Sequence, residues 1–208
     1  MAKKTAQSLL QINAIKLSPA NLFTWASGWH SPIYCDNRKV LSHTAVRQQV
    51  RDAFVELVRA KYPSVQVIAG VATGAIAHGV LVAEALGLPF IYVRSAAKEH
   101  GLSNQIEGDY TAGERVVVIE DLISTGGSSL AAVEALRGAG LDVLGMVAIF
   151  TYGFDTATRN FADAGVALDT LSDYPTLIAL AADSGYVTPA DVVELEKWRK
   201  DPANFGKR

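Results

Sequence analysis

One short stretch, residues 116–129, constrains the fold more than any other part of the chain. It begins with three valines and an isoleucine, which predict a buried parallel strand. Two acids, Glu120 and Asp121, end the predicted strand, and a loop rich in glycine and hydroxyl residues follows. Residues 130–136 have the Ala- and Leu-rich composition of a helix. The stretch therefore predicts a strand, an acidic pair, a loop and a helix N-terminus, in that order.

The predicted loop has the properties of a phosphate site. Gly126 and Gly127 allow the backbone to turn tightly and to approach a ligand, because no Cβ stands in the way. The first turn of the helix offers free N–H groups and the positive end of the helix dipole. Hydroxyl groups at four positions add donors around the same point: Ser124, Thr125, Ser128 and Ser129.

The two acids predict a different task from the loop. Glu120 and Asp121 should point to opposite sides of the strand. Since carboxylates repel a phosphate, they are better suited to accept hydrogen bonds from sugar hydroxyls or to hold Mg²⁺. A phosphate, a diol and a metal side by side describe a sugar phosphate. An ordinary strand-to-helix loop is the competing interpretation, and the paired acids argue against it.

Two other phosphate loops fit the chain less well. No Gly-Lys-Ser/Thr follows the glycines, which argues against a nucleoside-triphosphate loop. The run Gly138-Ala139-Gly140 lacks the third glycine of a dinucleotide fingerprint and follows a helix, where glycine is a common cap.

Residues 116–128 resemble the phosphoribosyl-pyrophosphate motif of the type I phosphoribosyltransferases, a hydrophobic strand with two acids and a Thr-Gly-Gly-Ser loop. A second stretch, residues 94–108, follows a predicted strand and holds Arg94, Lys98 and His100 within seven residues. Connections of this length are usually functional or disordered. The spacing is similar to the lid of the orotate phosphoribosyltransferases, and residues 23–34 resemble the hood of that family, which covers the base.

The resemblance extends over nearly the whole chain and implies an activity. It implies transfer of 5-phosphoribose from phosphoribosyl pyrophosphate to orotate, giving orotidine 5'-monophosphate and pyrophosphate in de novo pyrimidine biosynthesis. It also implies Mg²⁺ as cofactor, held mainly through the substrate and near Asp121, with no direct set of protein ligands. A homodimer is implied as well, with the lid of one chain reaching the site of its neighbour.

Matched by position, the resemblance assigns roles to individual residues. Arg94, Lys98 and His100 would be catalytic and would meet the charge of the departing pyrophosphate. Glu120 and Asp121 would bind the ribose, residues 124–128 the 5-phosphate, and Ser124 would also lie near orotate. The residues expected to bind phosphoribosyl pyrophosphate are Arg94, Lys98, His100, Glu120, Asp121, Leu122, Ile123, Ser124, Thr125, Gly126, Gly127 and Ser128.

Three sites, with four residues in all, depart from the pattern of many family members. Ser95 follows the lid arginine where many have lysine, and Ala26 precedes the Ser-Gly of the hood where many have lysine. Ala72-Thr73 stands in the pyrophosphate loop where others have Tyr-Lys. The changes at phosphate-facing positions remove positive charge, so Arg94 and Lys98 must carry more of it.

Alternative functions are a uracil or purine phosphoribosyltransferase, which would share the motif, and a regulator that senses phosphoribosyl pyrophosphate. A regulator of this kind should need a DNA-binding module and a basic face. The chain has 19 basic and 21 acidic residues, interspersed, and a net charge of −2, which argues against nucleic-acid and membrane partners.

Composition also indicates the compartment. The single cysteine, Cys35, excludes an internal disulfide and suits the cytoplasm; a half-buried strand position is a better interpretation for it than a nucleophile. We expect no zinc site, no secretory signal and no membrane span.

The order of predicted elements indicates an α/β fold. From residue 65 strands alternate with helices, which predicts a central parallel sheet flanked by helices. We expect a single domain over residues 1–208, with an α/β core at roughly 63–171 and a small hood formed by residues 1–62 with the C-terminal helices. Ser42 is predicted to cap the helix after the hood, and Thr188 with Asp191 a C-terminal one.

Overall fold

The computed structural model describes residues 1–25, 27–94 and 105–206. The α-helices of these ranges are α1 Ala2–Gln11, α2 Thr44–Lys61, α3 Ile76–Leu86, α4 Gly127–Gly138, α5 Asp155–Asp163, α6 Tyr174–Asp183 and α7 Pro189–Lys200. The strands are β1 Ile15–Leu17, β2 Phe23–Thr24, β3 His30–Ser31, β4 Ile33–Cys35, β5 Val67–Val71, β6 Phe90–Val93, β7 Ile106–Glu107, β8 Arg115–Ile123, β9 Asp142–Thr151 and β10 Leu168–Asp173. A 3-10 helix spans Asn37–Ser42.

The centre of the fold is a six-stranded sheet in the order β10-β9-β8-β5-β6-β7. Its first five strands are parallel, and β7 pairs antiparallel with β6 at the edge. The predicted α/β class with a parallel sheet flanked by helices is therefore confirmed. β8 lies between β5 and β9, so both of its edges are hydrogen-bonded.

Side chains of β8 alternate between two hydrophobic cores. Val116 and Val118 are buried in a core that includes residues of α4 and α5. Val117 and Ile119 are buried in the other core, which includes residues of α1, α2, α3 and α6. The period of two in a strand produces this division.

The hood consists of short strands and the chain ends. β2 and β3 form an antiparallel pair around a turn at Gly28, whose φ is 81°. β1 pairs antiparallel with β4, and α1 packs against α6. α2 packs against α3 and the sheet, which joins the hood to the core. None of the described helices is long and apolar enough to cross a bilayer.

Four local features differ from the sequence-based expectation. β8 runs on to Ile123, so the acids lie within the strand, because residues 122 and 123 still pair with β9. Ser42 ends the 3-10 helix, and α2 begins at Thr44 without a side-chain cap, so the predicted cap was wrong. β7 and α6 were not predicted as separate elements.

The remaining caps follow the sequence. The Thr188 hydroxyl accepts a hydrogen bond from the Asp191 backbone, and the Asp191 carboxylate accepts one from the Thr188 backbone. The predicted capping box is therefore confirmed. The capping box fixes the start of α7, the helix that carries Trp198 into the core.

An aromatic cluster fixes α7 on the rest of the chain. Trp198 is fully buried, and its ring centroid lies 5.4–5.6 Å from those of Trp25, Tyr152, Phe154 and Tyr174. Its Nε1 has no hydrogen-bond partner among the described residues. Packing area therefore accounts for its contribution to stability.

We expect Trp198→Ala to lower the free energy of unfolding by about 3–5 kcal/mol, because it removes a large side chain from a packed core. Trp198→Phe should cost less, since it keeps an aromatic ring and removes an unpartnered N–H. Urea unfolding followed by circular dichroism measures both. Tyr186→Ala is the control, because Tyr186 is 46% exposed. Equal losses for Trp198→Ala and Tyr186→Ala would contradict the role of the cluster.

Candidate active site

A cavity of about 450 Å³ lies at the carboxyl ends of β5 and β8. Parallel sheets commonly bind ligands at this edge, where the loops after the strands meet. The described residues that line it come from the hood, from the loop after β5 and from the end of β8: Cys35, Asp36, Arg38, Val71, Ala72, Thr73, Gly74, Glu120, Asp121, Leu122 and Ser128.

Asp121 is held between the hood and the loop after β5. Its backbone carbonyl accepts a hydrogen bond from Asn37 Nδ2 at 2.6 Å. Its carboxylate lies so close to Gly74 that a Cβ on that residue would overlap it. Glycine at position 74 therefore makes room for the acid, and the half-buried carboxylate stays open to the cavity.

Glu120 faces the other side of the sheet, toward α4, as the alternation of the strand predicts. It is 5% exposed, and its carboxylate accepts hydrogen bonds of 2.8 Å from the Ser129 hydroxyl and from the Asp121 backbone N–H. Burial, and then the nearby charge of Asp121, raise the pKa of Glu120 to about 8. A largely protonated Glu120 at neutral pH is the consequence.

The four hydroxyl groups of the loop after β8 do not all face the same ligand position. Ser129 is buried and bound to Glu120, so the expectation that it faces a phosphate was wrong. Ser128 is exposed at the cavity, and Ser124 and Thr125 are half-buried. The Leu122 side chain lines the cavity, whereas that of Ile123 is fully buried in the core beside α5.

Gly126 makes the turn that begins α4. It caps the helix with a φ of 84°, and a Cβ there would lie 2.7 Å from the Phe161 ring. Both constraints favour glycine. Asn160 Nδ2 donates to the Thr125 carbonyl at 2.9 Å, which fixes the loop from α5. The turn leaves Gly127 exposed as the first residue of the helix, where backbone N–H groups can bind an anion.

The predicted lid is described only at its ends. Arg94 follows β6, its backbone N–H donates to the Gln105 carbonyl, and its Nη1 lies 3.5 Å from Glu107 Oε1. Lys98, His100 and Ser95 lie outside the described residues, and so does Ala26 of the hood. Of the departures from the family pattern, Ala72 and Thr73 are described, and both line the cavity.

Sequence reasoning missed residues of the site, among them Asn37 and Arg38, and it also missed the buried His78, which lies near the charge of Asp121. Asn37 is fully buried and binds Asp121, and Arg38 lines the cavity. His78 is 2% exposed, and burial lowers its pKa, opposed by the charge of Asp121. The polar run at 36–38, directly after a hood strand, was the available signal for the first two. His78 gave none, because a lone histidine in an apolar helix is usually a core residue.

Cys35 is half-buried in β4, as predicted. Burial raises the pKa of its thiol, with Asp121 and Asp36 adding to the effect. A thiol in this environment is a poor nucleophile.

The donors present suit a cation that arrives with its substrate. Within the described ranges, no three His, Cys, Asp or Glu side chains form a group that could hold a metal ion. Asp36 and Asp121 are the half-buried carboxylates among the described residues that line the cavity, and Asp36 is already paired with Arg38. Mg²⁺ is commonly bound by one or two carboxylates together with substrate phosphates. The residues present therefore fit Mg²⁺ bound chiefly to a phosphorylated substrate.

The buried acid predicts a pH-dependent stability. The pKa of Glu120 is raised from 4.5 to about 8, so between these values the folded chain holds a proton that the unfolded chain has lost. This term therefore stabilises the fold at low pH and is lost as the pH rises toward 8. In the wild type, the free energy of unfolding should fall by an amount on the order of 1–4 kcal/mol as the pH rises through this range, and Glu120→Gln should abolish that fall.

Urea unfolding of wild type and Glu120→Gln at pH 5.5 and 8.5 measures the difference between their pH slopes. Glu134→Gln, an exposed acid on α4, is the matched control and should keep the wild-type slope. Parallel slopes for wild type and Glu120→Gln would show that Glu120 does not carry the buried proton.

Comparisons with known proteins bear on the chemistry of this cavity. The model of the phosphoribosyl transferase domain matches residues 36–170. An orotate phosphoribosyltransferase of Phocaeicola vulgatus is 57% identical over 205 residues, which cover 99% of this chain and 97% of that protein.

Solved structures extend the comparison to the fold. The orotate phosphoribosyltransferase of Aeropyrum pernix has a TM-score of 0.76 and 28% identity, over 88% of this chain and 99% of that one. The UMP synthase of Leishmania donovani has a TM-score of 0.79 and 26% identity over 95% of this chain, which spans 42% of that longer protein.

These matches confirm the resemblance that the acidic pair, the loop and the hood indicate. The family match covers more than half of the chain, and the relative of P. vulgatus is similar along almost its entire length. The chain belongs to the phosphoribosyltransferases and, among them, to the orotate phosphoribosyltransferase family.

Proposed function

We propose that this chain transfers 5-phosphoribose from phosphoribosyl pyrophosphate to orotate, releasing pyrophosphate and forming orotidine 5'-monophosphate for pyrimidine biosynthesis. One observation carries the proposal. Asp121, open to the cavity, and the start of α4 at Gly127 lie on either side of the same short loop. This arrangement offers a carboxylate to ribose hydroxyls and backbone N–H groups to a 5-phosphate.

The parts of the site divide the work of the transfer. The bond between the anomeric carbon and the pyrophosphate breaks as the base nitrogen attacks, so the sugar gains positive charge and the leaving group negative charge. Asp121 would accept hydrogen bonds from the ribose hydroxyls, and Glu120 would support it through the hydrogen bond to the Asp121 backbone. Residues 124–128 would hold the 5-phosphate, and Ser124 would also contact orotate. Fixing both ends of the sugar orients its anomeric carbon toward the base.

Positive charge must meet the departing pyrophosphate. We assign this role to Arg94, Lys98 and His100, because donors placed where charge develops stabilise the transition state. Bound with the diphosphate, Mg²⁺ would neutralise part of its charge. The lid would also exclude water, which would otherwise hydrolyse the activated sugar.

A homodimer and a cytoplasmic setting are parts of the proposal. The lid of one chain would serve the site of its neighbour, so a single chain would hold an incomplete site. Cys35 is a free thiol, which is compatible with a reducing compartment.

The direct test is release of pyrophosphate from phosphoribosyl pyrophosphate with a single base present. Orotate should support release, whereas uracil, hypoxanthine and adenine should support little. Release with one of the other bases, and none with orotate, would assign the chain a different base. Binding of phosphoribosyl pyrophosphate without release with any base would favour a sensing role.

Asp121→Asn should weaken binding of phosphoribosyl pyrophosphate about 10- to 100-fold, because it removes a charged hydrogen-bond acceptor. Equilibrium titration measures the affinity. Asp142→Asn, an exposed acid at the start of β9, is the control and should bind normally. Unchanged affinity in Asp121→Asn would remove this residue from the sugar site.

Lys98→Ala should lower turnover on the order of 10²–10³-fold, as loss of a transition-state charge donor commonly does. Steady-state turnover at saturating substrates measures the loss. Near-normal turnover would exclude this lysine from the mechanism.

The same variant tests whether the lid is shared. Mixed with Asp121→Asn under conditions where dimers exchange, it should restore roughly a quarter of wild-type activity, since half of the dimers are mixed and carry one intact site. The two variants assayed separately are the controls. Activity that stays at their sum would show that each lid serves its own chain.

A further inference from the structure

The substrate of the proposed reaction is an anion beside several acids. Orotate carries a carboxylate on its ring, and uracil is the same ring without it. The described wall of the 450 Å³ cavity contains Asp36, Glu120 and Asp121. Asp36 and Asp121 disfavour an anionic base unless a cation offsets their charge, and such a cation would distinguish orotate from uracil.

Arg38 is the one cationic side chain among the described residues that line this cavity. It follows β4, whose Cys35 lines the same cavity, and its neighbour Asn37 binds the backbone of Asp121. The hood therefore places a guanidinium beside the acid that we assign to the ribose. The base must lie next to the ribose, so a cation beside this acid is well placed to reach the base.

The Arg38 guanidinium is held in place by one hydrogen bond and still has donors available for a ligand. Its Nε donates to Asp36 Oδ1 at 2.7 Å, and its terminal nitrogens make no hydrogen bond to the described residues. The Arg38 side chain is 63% exposed, whereas the Asp36 side chain is 17% exposed. Asp36 thus fixes one edge of the guanidinium, and the planar edge formed by the terminal nitrogens can bind a carboxylate with two hydrogen bonds.

Other described cations are less suitable for this role. Arg199 donates from Nε and Nη2 to the carbonyls of Tyr152 and Gly153, so its two terminal nitrogens are not both available for a carboxylate. Arg94 is paired with Glu107. Arg159 lines a separate cavity of about 540 Å³, together with Thr125. Ala26 offers no charge at the hood position where many family members have lysine.

We propose that Arg38 binds the carboxylate of orotate and thereby selects orotate over uracil. This inference rests on the proposed function and names the residue that sets its base specificity. Asp36 acts as a positioning residue for Arg38.

The experiment compares two ligands in variants of the full chain. Wild type, Arg38→Gln and Arg38→Lys are assayed with orotate as substrate and with the methyl ester of orotate as competing ligand, because the ester has the same ring without the charge. The KM for phosphoribosyl pyrophosphate is measured in parallel. Arg51→Gln is the matched control, since Arg51 also pairs with a neighbouring aspartate, Asp52, but lies on α2 outside the cavity.

Arg38→Gln should raise the KM for orotate about 10- to 100-fold, the usual effect of losing a charged hydrogen-bond pair. Its affinity for the methyl ester and its KM for phosphoribosyl pyrophosphate should stay at wild-type values, which also shows that the site is folded. Arg38→Lys should recover part of the loss because it keeps the charge. Arg51→Gln should match wild type in all three quantities.

Three results would overturn the inference. Equal losses for orotate and its methyl ester would show that Arg38 does not act on the carboxylate. A rise in the KM for phosphoribosyl pyrophosphate alone would place Arg38 at the diphosphate. An unchanged KM for orotate would exclude Arg38 while leaving the proposed function intact. Failure of the wild type to use orotate, in contrast, would overturn the proposed function and this inference with it.

Discussion

The alternation of side chains along β8 is the constraint on which the site depends. Because successive residues face opposite sides of the sheet, the four apolar residues 116–119 contribute to both cores. For the same reason, the side chains of the two acids that follow point to opposite sides. Glu120 turns to α4 and Asp121 to the loop after β5. A shift of one residue in register would exchange the faces and place apolar side chains at the cavity. Pairing of β8 with both β5 and β9 fixes that register.

Burial makes the two adjacent acids chemically different. A carboxylate withdrawn from water must be hydrogen-bonded or neutralised, and at Glu120 both occur, through Ser129 and through a raised pKa. Protonation of Glu120 therefore removes a negative charge from beside Asp121. A diphosphate that approaches meets less repulsion, while Asp121 keeps an acceptor for sugar hydroxyls. Glu120 thus contributes to the site mainly as part of its support.

The sequence predicts those parts of the molecule that depend on neighbours along the chain. Strand periodicity, the glycines of the loop and the capping box at Thr188 are local, and the structure agrees with them. Ser129 shows where such reasoning fails. Its position in the loop suggested a phosphate ligand, but the rotation of the first turn of α4 directs it to Glu120. That direction depends on how the helix packs on the sheet, which the sequence does not show locally.

Residues distant in sequence were harder to predict for the same reason. Asn37 and Asp121 are 84 positions apart, and only the docking of the hood on the core brings them into contact. Gly74 gave no sign of its role, because the group it accommodates is also distant in sequence. The lid residues Lys98 and His100 and the hood position Ala26 lie outside the described residues, so their assignments remain predictions from the resemblance.

The contact between Asn37 and Asp121 has a consequence for how the two substrates are bound. Asn37 is fully buried, so its hydrogen bond cannot be replaced by water without exposing the hood interface. The residues on either side of it, Asp36 and Arg38, face the cavity. The part of the chain that fixes the ribose-binding acid therefore also carries the cation that we assign to the base. A movement of the hood that displaces Arg38 would also disturb the hydrogen bond to Asp121, because Asn37 and Arg38 are adjacent in the 3-10 helix Asn37–Ser42.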